Sequence, residues 1–263
     1  MAHWLRYATP APAAAPNYYP HIFPYRLPPL VEFDPEPVPL DPAPAIWITD
    51  TTFRDGQQSR NPYSPQQIAD LYQLLSRLGG PNGMIRQTEF FLYSRKDREA
   101  VERCLELDCR YPEITGWIRA TPSDYAAVRE MGLRETGILT SISDYHIYKK
   151  LRSDRESVLR SYLEVVDLAL ADGVVPRCHL EDSTRADFHH VVLPFVQALM
   201  ERSRESGIQV KIRFPDTLGV GVPHPQAALP RGIPKLTYAL RHEAGVPPEA
   251  LEFHGQNDLN AIV

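Results

Sequence analysis

The feature that most constrains this chain is a regular alternation of short apolar, β-branched segments with helix-length amphipathic segments, which begins after Ala45. Strict alternation of this kind predicts a parallel sheet whose strands are joined by helical crossovers. The predicted strands are Ile46–Thr49, Ile85–Phe91, Glu113–Ile118, Glu135–Leu139, Pro176–Leu180, Val210–Phe214 and Leu251–Phe253. The predicted helices lie near 65–78, 95–107, 122–131, 154–171, 190–206 and 233–244. Ser64 followed by Pro65 is a strong helix start, because serine caps free amide groups and proline fits the first turn.

The strand count points to a particular α/β architecture. Seven strands in residues 46–263 fall one short of a (β/α)₈ TIM barrel, which has eight strands and typically about 250 residues. We therefore expect residues 46–263 to form a TIM-barrel catalytic domain that is truncated after strand 7, without strand 8 and the C-terminal region. An unclosed barrel leaves strand edges unpaired, so either the sequence is a fragment or a partner supplies the rest.

Proline sets the first 45 residues apart, because 12 of the 26 prolines precede Ala45. Proline fixes φ and removes a backbone donor, so neither a helix nor a central strand can run through this segment. Aromatic residues such as Tyr18 and Tyr19 argue against plain disorder, which is usually poor in aromatics. Residues 1–45 are therefore predicted to form an extended arm that lies on the barrel or on a partner subunit. The arm and the unclosed barrel together favour a homo-oligomer, most simply a dimer.

Composition excludes several functional classes. A net charge of -5 provides no basic footprint for nucleic acid. The longest apolar stretches, such as Val191–Val196, fall far short of the roughly 20 residues that span a bilayer, so no membrane partner is expected. The three cysteines, Cys104, Cys109 and Cys178, form no CxxC pair, and an odd number argues against a disulfide framework. The expected location is a reducing cytoplasm.

Polar side chains follow the predicted strands at the edge where parallel barrels carry their chemistry. After strand 1, Arg54 and Asp55 place a cation and a carboxylate beside a glycine turn. His254 and Gln256 stand two positions apart on strand 7, so their side chains point the same way. Asp55, His254 and Gln256 are the predicted ligands of a divalent metal, Mn²⁺ or Mg²⁺, with Zn²⁺ and Co²⁺ as alternatives. The competing interpretation is an Arg54–Asp55 ion pair that only pins the first loop.

The other candidate site residues each have two interpretations, one functional and one structural. His146 follows strand 4, with two lysines a turn later, and either serves an anionic substrate or is structural. Thr217, at the end of strand 6, either caps a turn or binds a carboxylate. Glu181 and Arg185 either pair with each other or belong to the site. The predicted substrate contacts are Thr217, Arg119, Gln58, Glu89 and Arg185.

Several stretches resemble a known family. They include IWITDTTFRDGQQ, IRQTEFFLYS, PRCHLEDSTRAD and AALPRGIPKLTYALRHEAGVP, and the resemblance runs from about residue 18 to the end. The strand-1 motif, the strand-6 Asp-Thr-x-Gly and the strand-7 His-x-x-Asn-Asp resemble the homocitrate synthase, isopropylmalate synthase and hydroxymethylglutaryl-CoA lyase family. Within this pyruvate carboxyltransferase-like superfamily, the longer stretches are most similar to the Re-type citrate synthases.

The resemblance implies a TIM barrel with a divalent metal at its mouth. By position, Asp55 matches the metal-binding aspartate and His254 the first metal-binding histidine. Arg54 matches the arginine that steadies the oxyanion, and Thr217 the threonine that contacts the 2-oxo acid carboxylate. Glu181 matches the glutamate that supports the acid/base machinery. The catalytic residues are therefore predicted to be Arg54, Glu181 and, in addition, His146.

The implied reaction is a Claisen condensation of acetyl-CoA with a 2-oxo acid and release of CoA. Oxaloacetate giving citrate is favoured, and 2-oxoglutarate giving homocitrate is next. Two departures count against activity: Gln256 replaces the family's second histidine, and the end of the barrel is missing. The alternatives are a catalytically impaired relative that acts only as a binding or interaction protein, and a related acyl-CoA lyase.

Overall fold

The structure is a computed structural model that describes residues 15–24 and 29–257. The strands found in these residues are β1 Ile48–Asp50, β2 Ile85–Phe91, β3 Glu113–Arg119, β4 Glu135–Leu139, β5 Val175–His179, β6 Lys211–Asp216 and β7 Leu251–Gly255. The helices are α1 Pro65–Gly79, α2 Arg95–Glu106, α3 Pro122–Glu130, α4 Arg155–Ala171, α5 Leu193–Ser206 and α6 Ile233–His242. Residues 1–14 and 25–28 of the predicted arm, and Asp258 of the strand-7 motif, lie outside the described residues.

The strands form one sheet in the chain order β1-β2-β3-β4-β5-β6-β7. The pairings of β1 with β2, β2 with β3, β3 with β4 and β6 with β7 are parallel, and helices connect successive strands. The predicted α/β fold and its seven strands are thus confirmed. The first strand was placed wrongly: β1 starts at Ile48, because pairing begins where Ile48 meets Ile85 on β2. Ile46 and Trp47 precede that pairing and are exposed.

Two short π-helical turns, Tyr145–Lys150 after β4 and Phe188–Val192 before α5, are additions to the predicted elements. The second explains why α5 starts at Leu193 and not near residue 190 as predicted. The first turn follows the end of β4, where no element was predicted, and the second overlaps the start of the helix predicted near 190–206.

The chain divides into two compact units, and the first comprises Ala43–Leu139 and Glu164–Arg177. Helix α1 starts as predicted: Ser64 and Gln67 form a reciprocal capping box, which satisfies two free amide groups. The buried face of α1 carries Tyr72, whose hydroxyl donates to the Pro112 carbonyl at 2.7 Å. In the same unit the rings of Phe53 and Phe90 lie 5.1 Å apart, both almost fully buried. Burying a side chain of this size contributes about 1.5–3 kcal/mol.

The second unit comprises the described parts of residues 1–42, together with Thr140–Leu163 and the described residues from Cys178 onward. Its core includes Tyr162 and Phe195, with ring centroids 6.0 Å apart, and Phe214, whose ring lies 5.2 Å from that of the exposed Phe253. The Tyr162 hydroxyl donates to the Ser141 carbonyl at 3.1 Å, which fixes the chain just after β4.

Proline-rich residues before Pro42 make specific contacts within the second unit. Asp34 forms an ion pair with the buried Lys235 of α6. The Arg231 guanidinium donates to the carbonyls of Pro29 and Leu30. The LPRGIPKL stretch therefore holds residues 29–34 through two cationic side chains.

The upstream piece, residues 15–24, contacts the π-helical turn after β4. The Asn17 amide donates to the Asp144 carboxylate at 2.5 Å, and the Tyr145 hydroxyl donates to the Tyr18 carbonyl at 2.8 Å. No helix in the described part of the chain is long and apolar enough to cross a membrane.

Candidate functional site

Arg54, in the turn after β1, is buried and has two acidic partners. Its Nε and Nη2 donate to Glu89 Oε2 at 3.0 and 2.8 Å, and Nη1 lies 3.1 Å from Asp55 Oδ1. The guanidinium carbon also lies 5.0 Å from the centroid of the Trp117 ring, a cation–π distance. The predicted Arg54–Asp55 ion pair is present, but the two-point contact with Glu89 is the stronger constraint on Arg54.

The first residue of the strand-1 motif explains the shape of this turn. The Asp50 carboxylate accepts hydrogen bonds from the Thr52 hydroxyl at 2.7 Å and from the Thr88 hydroxyl at 2.8 Å. The Thr52 amide donates to the same carboxylate at 3.2 Å. Asp50 thus ties the start of the turn to β2, and Arg54 is delivered towards Glu89 on that strand.

Arg177, on β5, was missed from the sequence. It is completely buried, and its Nη2 donates to Glu89 Oε1 at 2.7 Å while its Nη1 donates to Gln87 Oε1 at 2.6 Å. Glu135 Oε1 lies 3.2 Å from Arg177 Nη1. Arg177 lies in strand β5, VPRCH. A single arginine in a buried strand does not indicate a functional site until its partners on β2 and β4 are known.

Two predicted substrate contacts in the first unit stand apart from the Arg54 network. Arg119 forms a two-point pair with Asp124, with Nε and Nη2 at 2.7 and 2.9 Å from the carboxylate oxygens. These hydrogen bonds raise the pKa of Arg119, so it stays charged. The side chain of Gln58 is exposed at the end of the turn that carries Asp55.

In the second unit, His146 and Glu181 come together. His146 Nδ1 lies 3.1 Å from Glu181 Oε2, and Lys150 Nζ lies 2.9 Å from the same oxygen. The Ser141 hydroxyl also donates to Glu181. Burial opposes ionisation of Glu181, but hydrogen bonds from His146, Lys150 and Ser141 outweigh it and lower the pKa of the carboxyl to about 2. Glu181 is therefore a permanent anion at neutral pH.

The expected alternative, a Glu181–Arg185 pair, is wrong. Arg185 binds Asp182 instead, with Nε and Nη2 at 2.9 and 2.7 Å from its two oxygens. Asp182 has a left-handed backbone, φ 68°, and its carboxylate is buried. Each acid of the Glu181-Asp182 pair thus has its own basic partner.

Thr217, predicted to bind a carboxylate, contacts Asp182 through the backbone. Its Oγ1 accepts the Asp182 amide at 2.8 Å. A hydroxyl that accepts one hydrogen bond still has its own hydrogen to donate. The neighbouring Asp216 accepts the amides of Val220 and Gly221 at 3.0 and 2.7 Å, which closes the turn of the strand-6 motif. A Cβ at Gly221 would meet Asp216 Oδ2 at 2.7 Å, so this close approach requires glycine.

His254 and Gln256 lie side by side at the end of β7, as their spacing predicts. The Gln256 side-chain nitrogen is 3.0 Å from His254 Nε2. An amide turned by 180° places its oxygen in the same position, so the pair offers one nitrogen and one oxygen donor to a shared cation. Among residues 15–24 and 29–257, no three His, Cys, Asp or Glu side chains are grouped to hold a metal ion. The predicted ligand set of Asp55, His254 and Gln256 includes a glutamine, which is outside those four residue types. This ligand set therefore stays a prediction.

Comparison with known proteins agrees with these motifs. The chain is 55% identical over 245 residues to a citrate (Re)-synthase of Syntrophus aciditrophicus, covering 93% of this chain and 39% of that protein. It is 48% identical over 248 residues to a citrate (Re)-synthase of Clostridium kluyveri, covering 94% of this chain and 55% of that protein. The chain thus spans about half the length of these curated relatives.

Solved structures and a family model complete the comparison. The hydroxymethylglutaryl-CoA lyase from Pseudomonas aeruginosa superimposes with a TM-score of 0.61 at 18% identity, covering 81% of this chain and 68% of that one. At that identity the likeness establishes the fold, and it confirms the TIM-barrel class. The family model described as HMGL-like matches residues 45–261. The chain therefore belongs to the HMGL-like family.

Proposed function

We propose that this chain carries the condensation site of a divalent-metal-dependent enzyme that joins acetyl-CoA to a 2-oxo acid, with oxaloacetate as the acceptor and citrate as the product. The observation that carries the proposal is the hydrogen bond between His146 Nδ1 and the ionised Glu181. A carboxylate on Nδ1 favours the tautomer with the proton there and leaves the Nε2 lone pair to accept another. Identity of 55% and 48% to two citrate (Re)-synthases supports the choice of substrates.

His146 is the proposed general base. Its Nε2 lies 3.9 Å from the Asp182 carboxylate, beyond hydrogen-bonding distance, so that acceptor does not hold a proton on Nε2. In the proposed step Nε2 takes a proton from the acetyl-CoA methyl group, and the resulting enolate carbon attacks the keto carbon of the acceptor. The imidazolium that forms is stabilised by Glu181, which stays ionised throughout.

The negative charge that develops on the acceptor oxygen requires a fixed positive group. Arg54 is the proposed stabiliser, because Glu89 holds its guanidinium in a single orientation before any substrate arrives. The proposed carboxylate contact is the Thr217 hydroxyl, which retains its hydrogen. The alkoxide takes up a proton, the His146 imidazolium gives its proton back, and water then cleaves the thioester to the free acid and CoA, which makes the condensation irreversible.

Two of the predicted substrate contacts would have to compete with existing pairs. Arg119 and Arg185 each bind an aspartate through two nitrogens, so a substrate carboxylate would have to displace Asp124 or Asp182. We propose that Arg119 and Arg185 contribute positive charge to the acceptor site, that Gln58 offers an exposed amide, and that the buried Glu89 acts by holding Arg54.

Asp55, His254 and Gln256 are the proposed metal-holding residues, and the adjacency of His254 and Gln256 supports two of the three. When bound, Mn²⁺ or Mg²⁺ would polarise the keto group as a Lewis acid. Replacement of a histidine by an amide oxygen favours these hard cations over Zn²⁺. Asp55→Ala should abolish Mn²⁺ binding in a calorimetric titration, and unchanged binding would remove Asp55 from the set.

The proposal is tested by measuring release of the CoA thiol from acetyl-CoA with Mn²⁺ and three acceptors: oxaloacetate, 2-oxoglutarate and a branched apolar 2-oxo acid. Oxaloacetate is expected to give the highest kcat/KM, with one citrate formed per CoA. Preference for 2-oxoglutarate would shift the assignment to homocitrate formation. Absence of turnover with all three, in a protein that binds Mn²⁺, would contradict the proposal.

A further inference from the structure

Arg177 and Arg54 both bind the carboxylate of Glu89. We propose that Arg177 is a positioning residue for the condensation, acting on Arg54 through Glu89. The inference rests on the proposed function for its catalytic consequence, whereas the structural coupling stands by itself. All residues involved belong to the first unit.

The carboxylate of Glu89 is divided between the two arginines. Oε1 accepts from Arg177 Nη2 at 2.7 Å, and Oε2 accepts from Arg54 Nε and Nη2 at 3.0 and 2.8 Å. Glu89 is completely buried, so water cannot replace either partner. Because each oxygen has its own arginine, the carboxylate cannot rotate towards one without loosening its bond to the other.

Arg177 is itself held by groups on three strands. Its Nη1 donates to Gln87 Oε1 at 2.6 Å, and its Nη2 donates to Thr115 Oγ1 at 3.1 Å. Glu135 Oε1 lies 3.2 Å from Nη1, and Glu135 Oε2 accepts the Gln87 amide at 2.8 Å. The Gln87 amide is thereby oriented with its oxygen towards Arg177, so the guanidinium has one orientation available to it.

The charges show why the network survives burial. Arg177 and Arg54 face three carboxylates, those of Glu89, Glu135 and Asp55, and each carboxylate has an arginine within ion-pair distance. Removal of one member of such a group leaves a buried charge uncompensated and is strongly destabilising. Substitutions that keep the charge are therefore the informative ones.

The consequence for the site is a fixed direction for Arg54. Arg54 donates to Glu89 through Nε and Nη2, and its third nitrogen, Nη1, lies 3.1 Å from Asp55 Oδ1. If the Arg177 contact is lost, Glu89 can tilt towards Arg54 and the Nη1 edge moves with it. Displacement of a charge-stabilising group by about 1 Å can cost about a hundredfold in rate.

The test uses Arg177→Lys, Glu89→Asp and the double variant, each as the full chain. Arg177→Lys is expected to lower kcat by about ten- to a hundredfold with little change in KM for acetyl-CoA. In the Glu89→Asp background, Arg177→Lys should cause no further loss, because the shorter carboxylate no longer bridges the two arginines. Losses that multiply would overturn the proposal, since a general structural effect does not pass through Glu89.

An NMR measurement that does not depend on catalytic activity distinguishes this proposal from the proposed function. The Arg54 Nε–H resonance, assigned through Arg54→Lys in a ¹H–¹⁵N NMR spectrum of arginine side chains, should shift or broaden in Arg177→Lys. If Arg177→Lys fails to fold, Thr115→Val removes an uncharged contact of Arg177, together with the hydrogen bond of the Thr115 hydroxyl to the Thr88 carbonyl, and should shift the same signal. An unmoved Arg54 signal in the folded variants would overturn the proposal, whether or not the enzyme turns over.

Arg213→Lys is the matched control. Arg213 is equally buried, on β6, and pairs with Glu252. The control should leave the Arg54 signal in place. A shift as large as that in Arg177→Lys would show a general response to loss of a buried guanidinium and would also overturn the proposal. A wild-type protein without turnover, in which Arg177→Lys still moves the Arg54 signal, would refute only the proposed function.

Discussion

His146 and Glu181 are joined by a hydrogen bond of 3.1 Å between Nδ1 and Oε2, although 35 residues separate them in the chain. The histidine lies in the π-helical turn after β4, and the glutamate lies two residues beyond the end of β5. Lys150, one turn after His146, binds the same carboxylate. The pair is therefore built from two neighbouring strand ends, where a parallel sheet gathers its functional groups.

Glu181→Gln should keep the shape of this pair and remove its charge. The amide cannot stabilise an imidazolium, so kcat is expected to fall roughly a hundredfold or more. Lys150→Gln removes the other charged partner of Glu181, from an exposed position, and should cost less than about tenfold. Steady-state rates of CoA release provide the measurement, and equal effects of the two substitutions would argue against a special role of the His146 contact.

The low pKa of Glu181 also predicts a pH-dependent stability. Its pKa in the folded chain is about 2, below the ordinary value of 4.5, so the ionised carboxylate stabilises the fold above pH 4.5. That stabilisation, on the order of 3 kcal/mol, is lost as the pH falls from about 4.5 towards 2. Urea unfolding of wild type and Glu181→Gln should show a large difference at pH 7 that shrinks at pH 3.5. A difference independent of pH would contradict the assignment.

Most of the secondary structure could be predicted from the sequence because strands and helices bury periodic faces. Strand β2, Ile85–Phe91, and strand β4, Glu135–Leu139, have the predicted bounds. The error at β1 has a physical cause: Ile46 and Trp47 are apolar enough for a strand, but pairing with β2 starts only at Ile48. The apolar character of a segment can be seen in that segment alone. The start of β1, in contrast, depends on the pairing of Ile48 with Ile85, which lies 37 residues further along the chain.

The site was less predictable than the fold. The motifs indicated Arg54 and Glu181, but their partners, Glu89 and His146, lie on other elements of the fold. Which acidic side chain pairs with which basic one could not be predicted from the sequence. Arg185 shows the difficulty, because it pairs with Asp182 and not with the adjacent Glu181. The left-handed backbone at Asp182, φ 68°, accompanies this pairing, and the sequence did not predict that conformation.

Gln256→His should tighten metal binding if position 256 is a ligand position. The substitution replaces a weak amide donor next to His254 with an imidazole, and we expect at least a tenfold gain in affinity for Mn²⁺, about the size of effect that ligand-shell changes produce. Gln66→His, on the exposed face of α1, adds the same side chain away from His254 and should have no effect. Calorimetric titration of both variants decides the matter, and equal affinities would exclude Gln256 from the metal shell.

Lys235→Met should release the segment around Asp34. Lys235 is buried and Asp34 is its ion-pair partner, so the substitution leaves a carboxylate without compensation. Breaking a fully buried pair costs about 3–5 kcal/mol, which is an upper limit here because the Asp34 side chain is 14% exposed. Urea unfolding should show the loss, and limited proteolysis should cut faster near residue 34. The double variant Asp34→Leu/Lys235→Met should recover most of the stability, and failure to recover would point to a role of Lys235 beyond the pair.

The most direct test of the central claim is the activity of His146→Ala with and without added imidazole. If His146 removes the methyl proton, the variant should lose roughly a hundredfold or more in CoA release, and imidazole should restore part of the rate in proportion to its unprotonated fraction. Acetyl-CoA and oxaloacetate binding should be unchanged. A rate of CoA release in His146→Ala equal to that of wild type would contradict the assignment of His146 as the base. A lower rate that imidazole does not restore, together with loss of substrate binding, would contradict it as well.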